Sequence, residues 1–256
     1  HLKVILAQYC PTLLTLLNEQ KSWVKIEAND WQDKWKSFWH AQRILPNLVI
    51  CPSWEKWEKL ESNLENSDDI ILELDPGMAF GTGTHETTRL VLSLMYDYLV
   101  SRNNYCHFST MMDVGTGSGI LALYAAKLGF SKVIGLDNDP IAEEVSLENF
   151  EKNAMLSTST QQISFETLTL DAWQAKQSEP QHFDLVTANI ILPVIVAILP
   201  ELVATTKPGG LLMISGILKT QLDTLREVLK KQSDLELLNV AQYGEWLGFV
   251  CRRKKA

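Results

Sequence analysis

The chain is poor in cysteine, has no long apolar run and carries no excess of positive charge. Its four cysteines, Cys10, Cys51, Cys106 and Cys251, are widely scattered, and none belongs to a C-x-x-C pair. That spacing argues against a zinc site and a disulfide framework, and points to a reducing, cytoplasmic compartment. No apolar run approaches the roughly 18 residues that span a bilayer. The longest, 190–199, is interrupted by Pro193 and reads as a buried segment. No signal peptide is visible, and a start at His1 rather than Met reads as trimmed or incomplete. The net charge of −8 argues against a broad nucleic-acid-binding face and suits a basic partner. The basic tail Arg252-Arg253-Lys254-Lys255 reads as a solvated terminus. The absence of G-K-[ST] excludes a nucleoside-triphosphate P-loop. No G-x-S-x-G nucleophile motif occurs, and no His/Cys/Asp/Glu spacing suggests a metal.

What remains is an ordinary globular composition, 46% hydrophobic and 21% charged. A length of 256 residues suits one large domain, or one domain with a small companion. Residues 1–60 differ from the rest. "HLKVILAQY" and "SWVKIEA" read as strands and "PTLLTLLNEQ" as a short helix opened by Pro11. Trp31, Trp35 and Trp39 fall on one helical face, as a packing stripe or a partner surface. From residue 70 strands and helices alternate: "IILELD", then a helix over "TTRLVLSLMYDYL", "TMMDVG", a helix over "ILALYAAKLG", "KVIGLD", and a helix opened by Pro140. "QISFET" and "FDLVTAN" follow as strands, then a helix limited by Pro193 and Pro200, the strand in "PGGLLMISGI", and a last helix. The chain closes on two strands, "LELLNVAQY" and "GEWLGFVCRR". Repeated strand–helix units imply a mainly parallel sheet covered on both faces. Two final strands with no helix between them imply an antiparallel hairpin at one edge.

Two glycine loops stand out, "DPGMAFGTGTH" (75–85) and "DVGTGSG" (113–119). In the second, Gly115, Gly117 and Gly119 lie between a strand and a helix, where glycine admits close backbone approach and the helix offers free N–H groups. Eighteen residues past Gly119, the next strand ends in Asp137, placed to accept ribose hydroxyls. A dinucleotide fingerprint would need a glycine where Ile120 stands. Asp113 at the strand tip suits a cationic ligand better than a pyrophosphate, and the sulfonium and amino group of S-adenosyl-L-methionine fit it. Asn189 ends a later strand, where a carboxamide can meet a substrate N–H or the cofactor. His85 reads as ordering the first loop rather than as a base, with Thr84 able to cap the following helix. Thr88 lies in that helix's first turn, and Asp171 could meet the adenine amino group.

With those residues in hand, the chain resembles the ribosomal protein L11 methyltransferase family. "LDPGMAFGTGTHETT" resembles the family signature L-D-P-G-x-A-F-G-T-G-T-H-x-T-T, far more specific than a glycine triplet. "DVGTGSGILALYAAKLG", "VIGLDNDP", "ANI", "KPGGLLMISGIL" and "GEW" match in order. The resemblance implies methylation of lysine and N-terminal amino groups of a large-subunit ribosomal protein. It implies cofactor contacts at Thr88, Gly115, Asp137 and Asn189, and a loop from Phe80 to His85 that closes over the cofactor. Phe80 would then help to exclude water. The chain departs from the family at Thr116, usually Cys, at Glu86, usually Pro, and in "NIILPV" for "NILAGP". Residues 1–40 read as about the second half of the family's N-terminal domain.

The expected architecture is α/β, a doubly wound seven-stranded mainly parallel sheet of the Rossmann-like methyltransferase class with a C-terminal antiparallel hairpin. It occupies 61–256, after a small, partial α+β substrate-recognition domain and linker over 1–60. The expected activity is S-adenosylmethionine-dependent N-methylation of a protein, with Asn189 and His85 nearest the chemistry. The expected partner is a basic ribosomal protein, with no direct nucleic-acid or membrane contact and no indication of oligomeric state. The alternatives are the same chemistry on another lysine or a small amine, a nicotinamide-dependent oxidoreductase, and a non-catalytic adenosylmethionine-binding protein.

Overall fold

The computed structural model describes residues 39–55, 69–75, 80–81, 83–102, 108–153 and 161–255. All but Trp39 belong to one compact unit, His40–Ala256. The two strands, the helix and most of the tryptophan stripe expected before residue 39, and the boundary expected near residue 60, lie outside the described residues.

The unit opens with a hairpin that the sequence reading left unassigned. Strands β1 (Gln42–Leu45) and β2 (Leu48–Cys51) pair antiparallel across a turn at Pro46 and Asn47. Strand β3 (Ile70–Glu73), the core of "IILELD", then pairs parallel with β2. It therefore does not enter the large sheet as the strand–helix alternation suggested. Every residue of β2 is buried, so it is the central strand of this small sheet, and β3 covers its open edge.

Helix α1 (Glu86–Met95) runs on into a π-helical stretch, Tyr96–Ser101. Then follow β4 (Thr110–Val114), α2 (Ile120–Lys127), β5 (Lys132–Asp137), α3 (Pro140–Asn153), β6 (Gln162–Thr167), α4 (Leu170–Ala175), β7 (Phe183–Asn189) and α5 (Leu192–Thr205). Strand β8 (Thr206–Leu218), helix α6 (Leu222–Lys230) and the hairpin β9 (Leu235–Tyr243) and β10 (Trp246–Arg253) complete the chain. Helix α5 does not stop at Pro200, contrary to the expectation. Pro193 sits in its first turn, where an N–H has no helical partner to lose, and Pro200 lies on its exposed side.

The large sheet has seven strands in the order β6-β5-β4-β7-β8-β10-β9. Its first five run parallel, and β10 inserts antiparallel between β8 and β9. Successive residues of a strand point to opposite faces, and here both faces are buried. Met111, Leu185 and Met213 enter a core with α1, α2 and the small sheet. Met112, Val186, Leu212 and Phe249 enter a second core with α4, α5 and α6. From β4 the chain winds outward through β5 and β6, then returns to β7 on the other side. The carboxyl ends of β4 and β7 thus diverge at a topological switch point, where such sheets bind ligands. Among the described residues, no helix is long and apolar enough to cross a membrane.

Candidate active site

A cavity of about 570 Å³ opens at this switch point. Gly115 and Gly117 line it from the turn after β4, Asp137 from the end of β5, Asp171 from α4 and Asn189 from the end of β7. Phe80, His85 and Trp246 line it as well. Of the residues singled out from the sequence, Thr84, Thr88, Asp113 and Gly119 stand outside the lining. Gly119 has φ +79°, precedes α2 and packs against Phe165 and Ser146.

Asp113 lies beneath the cavity and is fully buried. Its Oδ1 accepts from Thr187 Oγ1 at 2.6 Å and its Oδ2 from Thr116 Oγ1 at 2.8 Å. Burial pushes its carboxyl up to about 6, against the pull of these two hydrogen bonds, and the nearby charge of Asp137 adds to the rise. Thr187 faces Asp113 because β4 and β7 pair in that register. Asp113 thus ties two strands and the glycine turn together from below. Thr116, where the family usually has cysteine, supplies a hydroxyl donor stronger than a thiol.

At the end of β5, Asp137 Oδ2 accepts from Gly117 N at 3.0 Å and Oδ1 from Asp139 N at 3.1 Å. Each oxygen keeps a further lone pair for a ligand hydroxyl. Asp171 is exposed, and its carboxyl is held below the usual range by hydrogen bonds from Thr169 and from the Ala172 backbone.

Asn189 donates from Nδ2 to Thr88 Oγ1 at 3.4 Å. Its Oδ1 is buried with no hydrogen-bond partner among the described residues. An orphaned buried acceptor is costly, and beside a cavity it could accept from a ligand donor.

The entrance carries an aromatic row. The His85 ring meets Phe80 edge-on at 5.0 Å and Trp246 at 5.4 Å. His85 is the residue before α1, and its Nδ1 accepts from Thr87 N at 3.3 Å. The cap expected of Thr84 therefore belongs to His85. The extended backbone that a capping residue needs, φ −69° and ψ 141°, occurs one residue later than the hydroxyl suggested.

The two glycine loops touch. Ser118 N donates to Phe80 O at 2.9 Å, and Ser118 Oγ to Gly81 O at 2.6 Å. A Cβ on Gly117 would stand 2.4 Å from Phe80 O, so glycine is required there by the other loop's backbone.

Sequence reasoning gave no role to Trp246, Thr187 or Ser118. Trp246 is brought to the cavity by strand pairing. As the first residue of β10, antiparallel to β8, it pairs with Leu218 and so returns to the carboxyl edge. Thr187 and Ser118 likewise carried no mark in the sequence, because their partners lie 74 and 37 residues away.

No Lys or Arg lines the cavity among the described residues, whereas two carboxylates, Asp137 and Asp171, do. A pyrophosphate would find no cation there. Val114, Leu136, Leu168 and Leu170 line the same cavity and offer apolar surface for a flat ring. With the orphaned oxygen of Asn189, these residues fit S-adenosylmethionine, a cationic adenosyl ligand rich in donors.

Comparison with known proteins agrees. A sequence model of the family described as ribosomal protein L11 methyltransferase (PrmA) matches residues 2–254. The ribosomal protein L11 methyltransferase of Desulforapulum autotrophicum is 38% identical over 225 residues, 88% of this chain and 67% of that one. The crystal structure of ribosomal protein L11 methylase from Lactobacillus delbrueckii subsp. bulgaricus gives a TM-score of 0.69 at 29% identity, over 84% of this chain and 100% of that one. The magnesium protoporphyrin IX methyltransferase of Synechocystis PCC 6803, solved with bound SAM, gives 0.50 at 15% identity, over 70% of this chain and 86% of that one. The last is a likeness of fold alone. Matched over nearly its whole length, the chain belongs to the ribosomal protein L11 methyltransferase family, enzymes that take their methyl group from S-adenosylmethionine.

Proposed function

We propose that this chain methylates amino groups, lysine and N-terminal, of ribosomal protein L11. The observation that carries the reading is Asn189, whose carboxamide borders the cavity with one end anchored on Thr88 and the other without a partner. S-adenosylmethionine, when bound, supplies a methyl group on a sulfonium, already an excellent leaving group.

The protein's task is then to hold, orient and dry. Asp137 accepts the ribose hydroxyls, and Asp171 accepts from the adenine amino group. Gly115 and Gly117 let the backbone approach. Asn189 Oδ1 accepts an N–H of the incoming amine or of the cofactor's own amino group, and so fixes orientation. Phe80, His85 and Trp246 wall the entrance and keep water out.

The amine must arrive neutral. A lysine of pKa ~10.4 is mostly charged at neutral pH, whereas an α-amine at about 7.7–8.0 is partly free. His85 is occupied as a helix cap through Nδ1, so desolvation of the amine on entry replaces a dedicated base. An acidic chain of net charge −8 suits a basic ribosomal protein. The scattered cysteines, none of them in a C-x-x-C pair, accord with a reducing, cytoplasmic setting.

The test is incubation with labelled S-adenosylmethionine and purified ribosomal proteins, followed by mass spectrometry. Label on L11 amines is expected. Label confined to other proteins would overturn the substrate, and the absence of a thermal shift with S-adenosylmethionine would overturn the cofactor.

A further inference from the structure

Phe80 lines the cavity and is itself largely exposed. It is 57% exposed, and its ring meets His85 edge-on. The exposed ring contributes little burial energy, so the backbone must fix its place. That backbone is held by Ser118, itself 3% exposed. The Ser118 N–H donates to Phe80 O at 2.9 Å and its hydroxyl to Gly81 O at 2.6 Å. Its own carbonyl accepts from Asn149 Nδ2 at 2.9 Å. All of its polar groups are thus spent on joining three segments.

The brace continues along α3. Asn153 Nδ2 donates to Asn149 O at 2.7 Å and to Glu73 O at 2.8 Å, while Asn153 Oδ1 accepts from Glu73 N at 2.9 Å. Lys152 Nζ donates to Asp75 Oδ2 at 2.9 Å, and Asp75 also accepts from Ser53. One helix therefore grips the glycine turn through Asn149, the end of β3 through Asn153, and Asp75 through Lys152.

We propose that Ser118 is a positioning residue that couples the two glycine loops, so that ordering the cofactor turn also seats Phe80 over the cavity. The coupling needs only hydrogen bonds already in place. Gly117, with φ +53° and no room for a Cβ under Phe80 O, is the second half of the joint. The inference rests on the S-adenosylmethionine reading of the cavity.

Hydrogen–deuterium exchange with S-adenosylhomocysteine tests it in the full chain. In the wild type, residues 80–85 and 113–119 should gain protection together, with the same half-saturating concentration. In Ser118→Ala, which keeps the N–H bond to Phe80 O and loses the hydroxyl bond to Gly81 O, 113–119 should still gain protection, with binding roughly three- to tenfold weaker, as for one lost hydrogen bond, while 80–85 gains clearly less than in the wild type. A purely structural serine would instead lower the melting temperature and leave the two segments in step. Equal protection of 80–85 in variant and wild type overturns the proposal. Should Ser118→Ala not fold, the wild type still decides, because protection of 113–119 without 80–85 overturns it too. If neither wild-type segment responds and no thermal shift occurs, the cofactor reading has failed instead.

Discussion

Asn189, at the end of β7, is anchored through Nδ2 to Thr88 Oγ1 at 3.4 Å, a contact between residues 101 apart in the chain. The anchor decides which end of the carboxamide is left over, and the leftover oxygen is the acceptor that the proposed function assigns to a ligand donor. Thr88 is fully buried and does not line the cavity.

Removing that acceptor should therefore cost turnover. Asn189→Ala is expected to lower kcat roughly 10- to 100-fold, the scale of a misplaced reacting group, with a smaller change in cofactor dissociation. Thr88→Val, nearly isosteric, should lower kcat in the same direction by less. Steady-state kinetics with calorimetry of cofactor binding checks both, and a loss confined to cofactor affinity would make Asn189 a binding residue only.

Asp137 should divide the other way. Its carboxylate holds the Gly117 amide and has lone pairs left for ribose hydroxyls. Asp137→Ala is expected to weaken cofactor binding roughly 10- to 100-fold, as for hydrogen bonds to a charged group, while kcat at saturating cofactor changes little. Unchanged calorimetric affinity would remove the ribose role.

Asp113 predicts a pH dependence of stability. Its folded pKa is raised to about 6 from 3.8, so the fold holds this proton more tightly than the unfolded chain does. Its contribution therefore favours the folded state most below about pH 4, and is lost as pH rises through about 6. Asp113→Asn keeps the shape and removes the titration. The difference between variant and wild-type unfolding free energy should change by on the order of 2–3 kcal/mol across that window, read by denaturant titrations at several pH values. Parallel curves for the two proteins would contradict it.

His85 has two duties that separate by substitution. His85→Ala loses the cap and should destabilise the fold by about 1 kcal/mol. His85→Asn keeps a capping acceptor and should melt near the wild type, yet still lose turnover because the ring between Phe80 and Trp246 is gone. A fully active Asn variant would reduce the histidine to a cap.

Much of this was legible because it is local. Strand β4 running into the glycine turn, β5 ending in Asp137 and α3 opening at Pro140 are each written in adjacent residues. Buried parallel strands show as short apolar runs, glycine marks the turns, and proline marks a helix start. The cap was missed because a threonine and a histidine compete for it, and a single pair of backbone angles decides.

The amino-acid sequence by itself determined the α/β alternation, the glycine turn with its following carboxylate, and the family signature in "DPGMAFGTGTH". Each of these depends on chemistry spaced along one stretch of chain. Only the tertiary structure decided that Ile70–Glu73 joins a separate small sheet, that Thr187 meets Asp113, that Trp246 returns to the cavity, and that Ser118 ties one glycine loop to the other. Those are pairings between distant segments. An apolar strand or a buried hydroxyl carries no mark of its partner, and the packing of the whole unit selects it.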